Sequence, residues 1–306
     1  MNMRPLSRQV RKVLVRIMLV IFLSLSGFIL AFAGFLFFHQ RRMIYFPRRY
    51  APEEERALPQ QLEMLTFPAS SGVQTAYYLP PANGSLPPEQ LWVLFGGNAS
   101  LALDWFSWLE GLQGLTRQGM LLVEYPGYGH SEGKPTLASI AENTEGAFQA
   151  LAQHLGVESA DLEDDLNVLG HSLGAATALQ FASGHPVRRV ILLAPFTSLL
   201  DMARHTVHWP LHHMLKDRFD NMARLAELAS REQPPVVHIL HGESDQIIPF
   251  EMGRRLADSQ PSVTVFHPSA GTDHNDILDY ALPVMIKSLS ESTSTQEGED
   301  HGASEK

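Results

Sequence analysis

The chain has 306 residues, 44% of them hydrophobic, enough for one large domain around an apolar core or two small ones. It has no cysteine, which excludes disulfide staples, a cysteine nucleophile and cysteine-ligated metal. Of its 23 basic residues nine fall in residues 1–49, which hold no Asp or Glu, so the rest of the chain is strongly acidic and, by repelling phosphate backbones, argues against nucleic acid as a partner.

A basic segment, residues 1–16, leads into Ile17–Phe38, 22 residues without a charge and rich in Leu, Ile, Val and Phe. As a helix rising about 1.5 Å per residue it would cross the ~30 Å hydrocarbon core of a bilayer. A core helix of a globular protein rarely runs this long without a polar face. Ala31-Phe32-Ala33 also fits the small-residue rule of a cleaved signal peptide, but Phe35–Phe38 carry the apolar run past that point. The expectation is an uncleaved single-pass anchor at 17–38. Five basic residues precede it and four follow closely, so the positive-inside rule favours a cytoplasmic N-terminus only by a small margin. In a bacterial inner membrane that orientation puts the rest of the chain on the periplasmic side.

Residues 39–61 read as a connector, with Pro47, Pro52, Pro59 and the acidic run Glu53–Glu55. A folded domain is expected over 62–289. Leu62–Phe67 and Val73–Leu79 flank the turn signal Ser70-Ser71-Gly72 and predict a hairpin. Further strands are expected at Leu91–Phe95, Met120–Glu124, Leu166–Leu169, Arg189–Leu193, Val236–Leu240 and Ser262–Phe266. Helical stretches separate them at Ala102–Gln118, Leu137–Leu155, Ala175–Ser183, Phe250–Ser259 and Ile277–Leu289. Strand and helix in alternation predict an α/β fold: a mostly parallel, eight-stranded sheet with helices on both faces. The stretch 196–235 is longer than one crossover needs and predicts a small helical cap over the carboxyl edge. Residues 290–306, rich in Ser, Thr and Glu, read as a disordered acidic tail.

Strand Leu166–Leu169 runs into Gly170-His171-Ser172-Leu173-Gly174, then into small helix formers. This is G-x-S-x-G in a strand–turn–helix setting, where a sharp turn lifts the serine oxygen above the sheet. Ser172 is the candidate nucleophile; His171 is expected to pack beneath the turn. A serine hydroxyl needs an adjacent base. His274, in the loop after the last strand, is the best placed of 14 histidines. The acid that orients it should follow the preceding strand, in His241-Gly242-Glu243-Ser244-Asp245. Asp245 is the candidate, with Glu243 its rival; Asp273 and Asp276 stand too near His274 in sequence to orient it and read as surface or capping residues. An oxyanion hole is expected from the Leu173 amide and from the Asn98 amide in Phe95-Gly96-Gly97-Asn98. His205, His208, His212 and His213 raise a metal site, but Pro210 breaks their helical spacing and no carboxylate falls at ligand spacing, so no metal and no cofactor are expected.

Taken in order, Gly97-Asn98-Ala99, Tyr125–Gly133, Gly170–Gly174, His241–Asp245 with Ile248-Pro249, and His274-Asn275-Asp276 resemble the α/β-hydrolase superfamily, nearest to the single-pass serine hydrolases of the Bem46-like type. The likeness covers roughly Leu62 to Leu289. It implies a serine hydrolase acting on carboxylic ester or thioester bonds of a small-molecule or lipid-like acyl substrate, held to the membrane by its N-terminal helix. Acyl transfer or peptide hydrolysis on the same triad, or a membrane-tethered binding domain without catalysis, stay open. Gly96 departs from the family, which usually has a histidine there; the resemblance gives that histidine a structural role.

Overall fold

The computed structural model describes residues 8–56, 61–110, 118–206 and 211–290. The tail expected at 290–306 lies, but for Ser290, outside these residues, as do His208 and Trp209. In chain order the elements are α1 (Arg8–Ile44), α2 (Pro52–Arg56), β1 (Glu63–Ala69), β2 (Gly72–Leu79), β3 (Gln90–Phe95), α3 (Phe106–Glu110), β4 (Gln118–Val123), α4 (Leu137–Leu155), β5 (Leu166–His171), α5 (Leu173–Ala182), β6 (Arg189–Leu193), α6 (Leu199–Thr206), α7 (Asn221–Ala229), β7 (Val236–Gly242), α8 (Phe250–Ser259), β8 (Thr264–Ser269) and α9 (Ile277–Ser290). Short 3₁₀ turns stand at Ala102–Trp105, Ser159–Leu162 and Leu211–Met214.

The eight strands form one sheet in the order β1-β2-β4-β3-β5-β6-β7-β8. β1, β2 and β4 pair antiparallel; every pair from β3/β4 to β7/β8 is parallel. The central strands β3, β4 and β5 are buried at every position, as a sheet covered on both faces requires. The expected strands are present, most within two residues of their predicted bounds. The last is displaced: a turn occupies 261–263 and pairing with β7 begins at Thr264.

α4 opens on a reciprocal cap between Thr136 and Ser139 and closes on Gly156 at φ 69°, a left-handed position that glycine fills without steric cost. The helix expected over 102–118 is instead a 3₁₀ turn followed by the short α3, with 111–117 outside the described residues.

Two segments differ from the sequence reading. α1 continues six residues past the apolar run and none of its residues is buried, although its last turns touch the domain. It is long and apolar enough to cross a membrane. The segment after it is docked rather than loose: Tyr45 and Tyr50 are buried, and Arg49 donates to the carbonyls of Gly129 (2.7 Å) and Ser131 (2.8 Å). Within the stretch expected as a cap, α7 packs on α5 and α8 among the helices of the sheet. α6 and the turn at Leu211–Met214 pack on each other and help line the cavity that reaches Ser172.

Candidate active site

The parallel strands bring their carboxyl ends to one rim, where loops can carry chemistry. β5 ends at His171 and α5 begins at Leu173, leaving Ser172 alone in the turn at φ 55°, ψ −114°. A non-glycine residue in such a conformation stores about 1–3 kcal/mol of strain. The turn is held because Ser172 N donates to Leu193 O at 2.8 Å. It can be so tight only because both glycines lack a Cβ: one at Gly170 would strike the Gly174 carbonyl, and one at Gly174 would strike the carbonyls of Phe95 and Gly96. The Ser172 side chain does not cap α5; the residue lines a cavity.

His274 and Asp245 meet at the same rim. His274 Nδ1 lies 2.7 Å from Asp245 Oδ2, which leaves Nε2 as the nitrogen available to a substrate-side proton. Asp245 Oδ1 accepts from the amides of Ile247 and Ile248, both at 2.8 Å. Burial works to raise the Asp245 carboxyl, but hydrogen bonding to His241, His274 and the Ile248 amide outweighs it and holds the group well below the usual carboxylate range. Glu243, the rival acid, is exposed. Asp273 Oδ1 accepts from the His274 amide (2.7 Å) and the Gln246 amide (3.2 Å), bracing the two loops against each other. Among the described residues no hydrogen bond joins Ser172 Oγ to His274. Such contacts are often long before substrate binds.

Two further histidines support this pair. His171 Nε2 lies 3.1 Å from the His274 carbonyl, with the rings 4.8 Å apart. Burial, and then the neighbouring His274, push the His171 imidazole down to about 4, so it is neutral and can donate to that carbonyl. His241 Nε2 is 3.0 Å from Ile248 O and 3.2 Å from Asp245 Oδ2, with its side chain fully buried. Sequence reasoning missed this second partner of Asp245.

Leu173 and Asn98 both line the cavity beside Ser172, and among the described residues neither backbone amide donates a hydrogen bond. The Asn98 side chain is turned away to other work: Nδ2 donates to Ile44 O (2.5 Å), and Oδ1 accepts from Phe46 N (2.9 Å) and Tyr128 OH (2.8 Å). At Gly97 a Cβ would press on His171 Nδ1 at 2.8 Å. Gly96, the departure from the usual histidine, is steadied by Tyr125 OH donating to its carbonyl at 2.9 Å.

The cavity has a volume of about 350 Å³, toward the small end of small-molecule sites, and its walls are mostly apolar. His212 is buried at its wall, its ring centroid 4.2 Å from that of His213 with the rings tilted by 40°. Among the described residues no cluster of His, Asp and Glu forms a metal cage.

Residues 93–225 match the family model of the α/β hydrolase fold. Over 267 residues the chain is 30% identical to the uncharacterized protein Rv2307c of Mycobacterium tuberculosis, covering 85% of this chain and 88% of that one. It is 28% identical over 200 residues to α/β hydrolase domain-containing protein 17C of Homo sapiens, covering 64% of this chain and 56% of that protein. Among solved structures, an α/β hydrolase from Vibrio vulnificus superposes with a TM-score of 0.57 at 19% identity, covering 76% of this chain and 81% of that one.

Proposed function

The chain belongs to the α/β-hydrolase superfamily, and from that membership we propose that it is a serine hydrolase of carboxylic ester or thioester bonds, with Ser172 as nucleophile, His274 as base and Asp245 as its orienting acid. One observation carries the reading. A strained serine turn borders an apolar cavity, and a buried His–Asp pair at 2.7 Å stands at the same rim of the sheet.

The steps follow from the groups present. Ser172 Oγ attacks the acyl carbon as its proton passes to His274 Nε2, and the carbonyl oxygen takes the negative charge. The Leu173 and Asn98 amides stabilise that oxygen, a contribution of about 3–4 kcal/mol for each well-placed donor. The intermediate collapses; the bond to the leaving alcohol or thiol breaks, and that group takes the proton from His274. Water then attacks the acyl-serine, gives its proton to Nε2 and releases the acid, and the proton returns to Ser172. Asp245 stabilises the imidazolium in both halves. No added cofactor is needed.

We further read α1 as a single-pass membrane anchor, on its length and unbroken hydropathy. The test is covalent labelling by a fluorophosphonate. Wild type should label and Ser172→Ala should not; Asp245→Asn should hydrolyse esters about 10³–10⁴-fold more slowly. Equal labelling of wild type and Ser172→Ala would remove the assignment. An ester and thioester series with competing alcohols then separates hydrolysis from acyl transfer.

A further inference from the structure

The cavity beside Ser172 is closed on one side by the membrane helix itself. Leu36, Phe37, Gln40, Met43 and Ile44, all from the last turns of α1, line it. Their spacing marks one helix face, the i, i+1, i+4, i+7 and i+8 positions from Leu36. Phe196, Leu199, Met202, Met214 and Leu215 form a second wall. The two walls are tied together. Gln40 Nε2 donates to Met214 O at 3.2 Å, and Lys216 N donates to Gln40 Oε1 at 2.6 Å. Arg41 grips the Asp217 carboxylate with two nitrogens, at 2.9 and 3.2 Å. Lys216 Nζ stands 3.9 Å over the Phe37 ring.

The cavity therefore has a direction. Its catalytic end lies by Ile44, whose carbonyl is bonded to Asn98. Its other end lies by Leu36 and Phe37, which belong to the uncharged apolar run ending at Phe38. Eight residues of helix separate Leu36 from Ile44, a rise of about 12 Å. Arg41 and Arg42 fall between, where basic side chains mark the edge of a membrane.

Resting on the hydrolase and anchor readings above, we infer that α1 is a wall of the acyl-binding site and that the substrate is an acyl ester or thioester whose chain comes from the bilayer. The chain rises along the α1 face from the level of Leu36, and its carbonyl reaches Ser172 at the level of Ile44. An apolar route unbroken from bilayer to nucleophile spares the chain exposure to water, which each methylene resists. The anchor then contributes chain-length preference as well as attachment.

The experiment uses the full chain in lipid nanodiscs and compares kcat/KM for dodecanoyl and butanoyl p-nitrophenyl esters. Leu36→Trp, which fills the membrane end, should lower the dodecanoyl-to-butanoyl ratio about tenfold, the scale on which an apolar pocket discriminates chains. Phe37→Ala should shift the ratio as well. Leu30→Trp, on the same helix but outside the cavity, should leave the ratio as in wild type. Fluorophosphonate labelling of each variant verifies a folded site. A second measurement attaches a hexadecyl fluorophosphonate with a terminal diazirine to Ser172; after irradiation its tail should be found on the peptide holding residues 36–44. Ratios unchanged in both cavity variants, with the tail crosslinked elsewhere, overturn the inference and leave the hydrolase reading standing. A wild type that neither labels nor hydrolyses any ester overturns both.

Discussion

At Ser172 stability and chemistry pull against each other. The φ of 55° at this turn suits glycine far better than serine. Ser172→Gly should therefore be inactive yet more stable than Ser172→Ala by about 1 kcal/mol, measured by denaturant unfolding of the two proteins side by side. If alanine proves the more stable, the turn is not strained in solution. A similar constraint holds at Gly97, where a methyl group meets the His171 ring, and His171 in turn holds the His274 carbonyl. Gly97→Ala should lower kcat about tenfold or more with little change in KM, because it displaces a positioning residue by a fraction of an ångström. The candidate nucleophile, base and acid were legible in the sequence because each follows a strand end in a fixed order. His241 beside Asp245 was not, because a buried histidine's partner depends on how one loop folds back, which spacing alone does not determine.

Among the elements, the strands and the larger helices were readable because their hydrophobic periods are local. Leu137–Leu155 carries its own start and stop signals in Thr136 and Gly156. Where residues 39–61 dock was not readable from the sequence, because their partners are remote. Arg48 bonds Asp104, Tyr50 bonds Glu124, and Arg41 bonds Asp217, a partner 176 positions away. Prolines and charges in a short window signal a loop; they do not say what the loop lies on. The Arg41–Asp217 pair is unequal, the arginine half exposed and the carboxylate buried. Removing the arginine leaves that carboxylate short of a partner, which is costlier than losing an exposed pair. Arg41→Ala should thus increase proteolytic cleavage between α1 and β1, and Asp217→Asn should do so less. Equal resistance of all three proteins would mean the ion pair does not hold the connection.

Over the whole molecule, two buried groups set opposing pH trends. Burial pushes the Glu124 carboxyl from 4.5 up to about 7, against hydrogen bonds from Tyr50 and the Ala102 amide. Between those values the folded chain holds a proton the unfolded chain has released, so stability falls as pH rises through that window. His171 works the other way. Its value drops from 6.5 to about 4, the unfolded chain binds the extra proton in between, and stability rises with pH there. The two windows overlap at mildly acidic pH and partly cancel; of these two groups, Glu124 is the one that still acts near neutrality. The difference in unfolding free energy between wild type and Glu124→Gln should therefore move against wild type from pH 5 to pH 8. Parallel curves would place the proton elsewhere.

Asn98 sits at a junction: it lines the cavity while its side chain grips Ile44 and Phe46, where the long helix ends. On the reading proposed above, one residue is thereby shared by the reaction centre and the mooring. Once α1 lies in a bilayer, the globular body cannot swing freely on a tether, and the inclination of the helix sets how high Ser172 rides over the lipid. Since that inclination follows the thickness of the surrounding membrane, lipid composition becomes a setting on the height of Ser172.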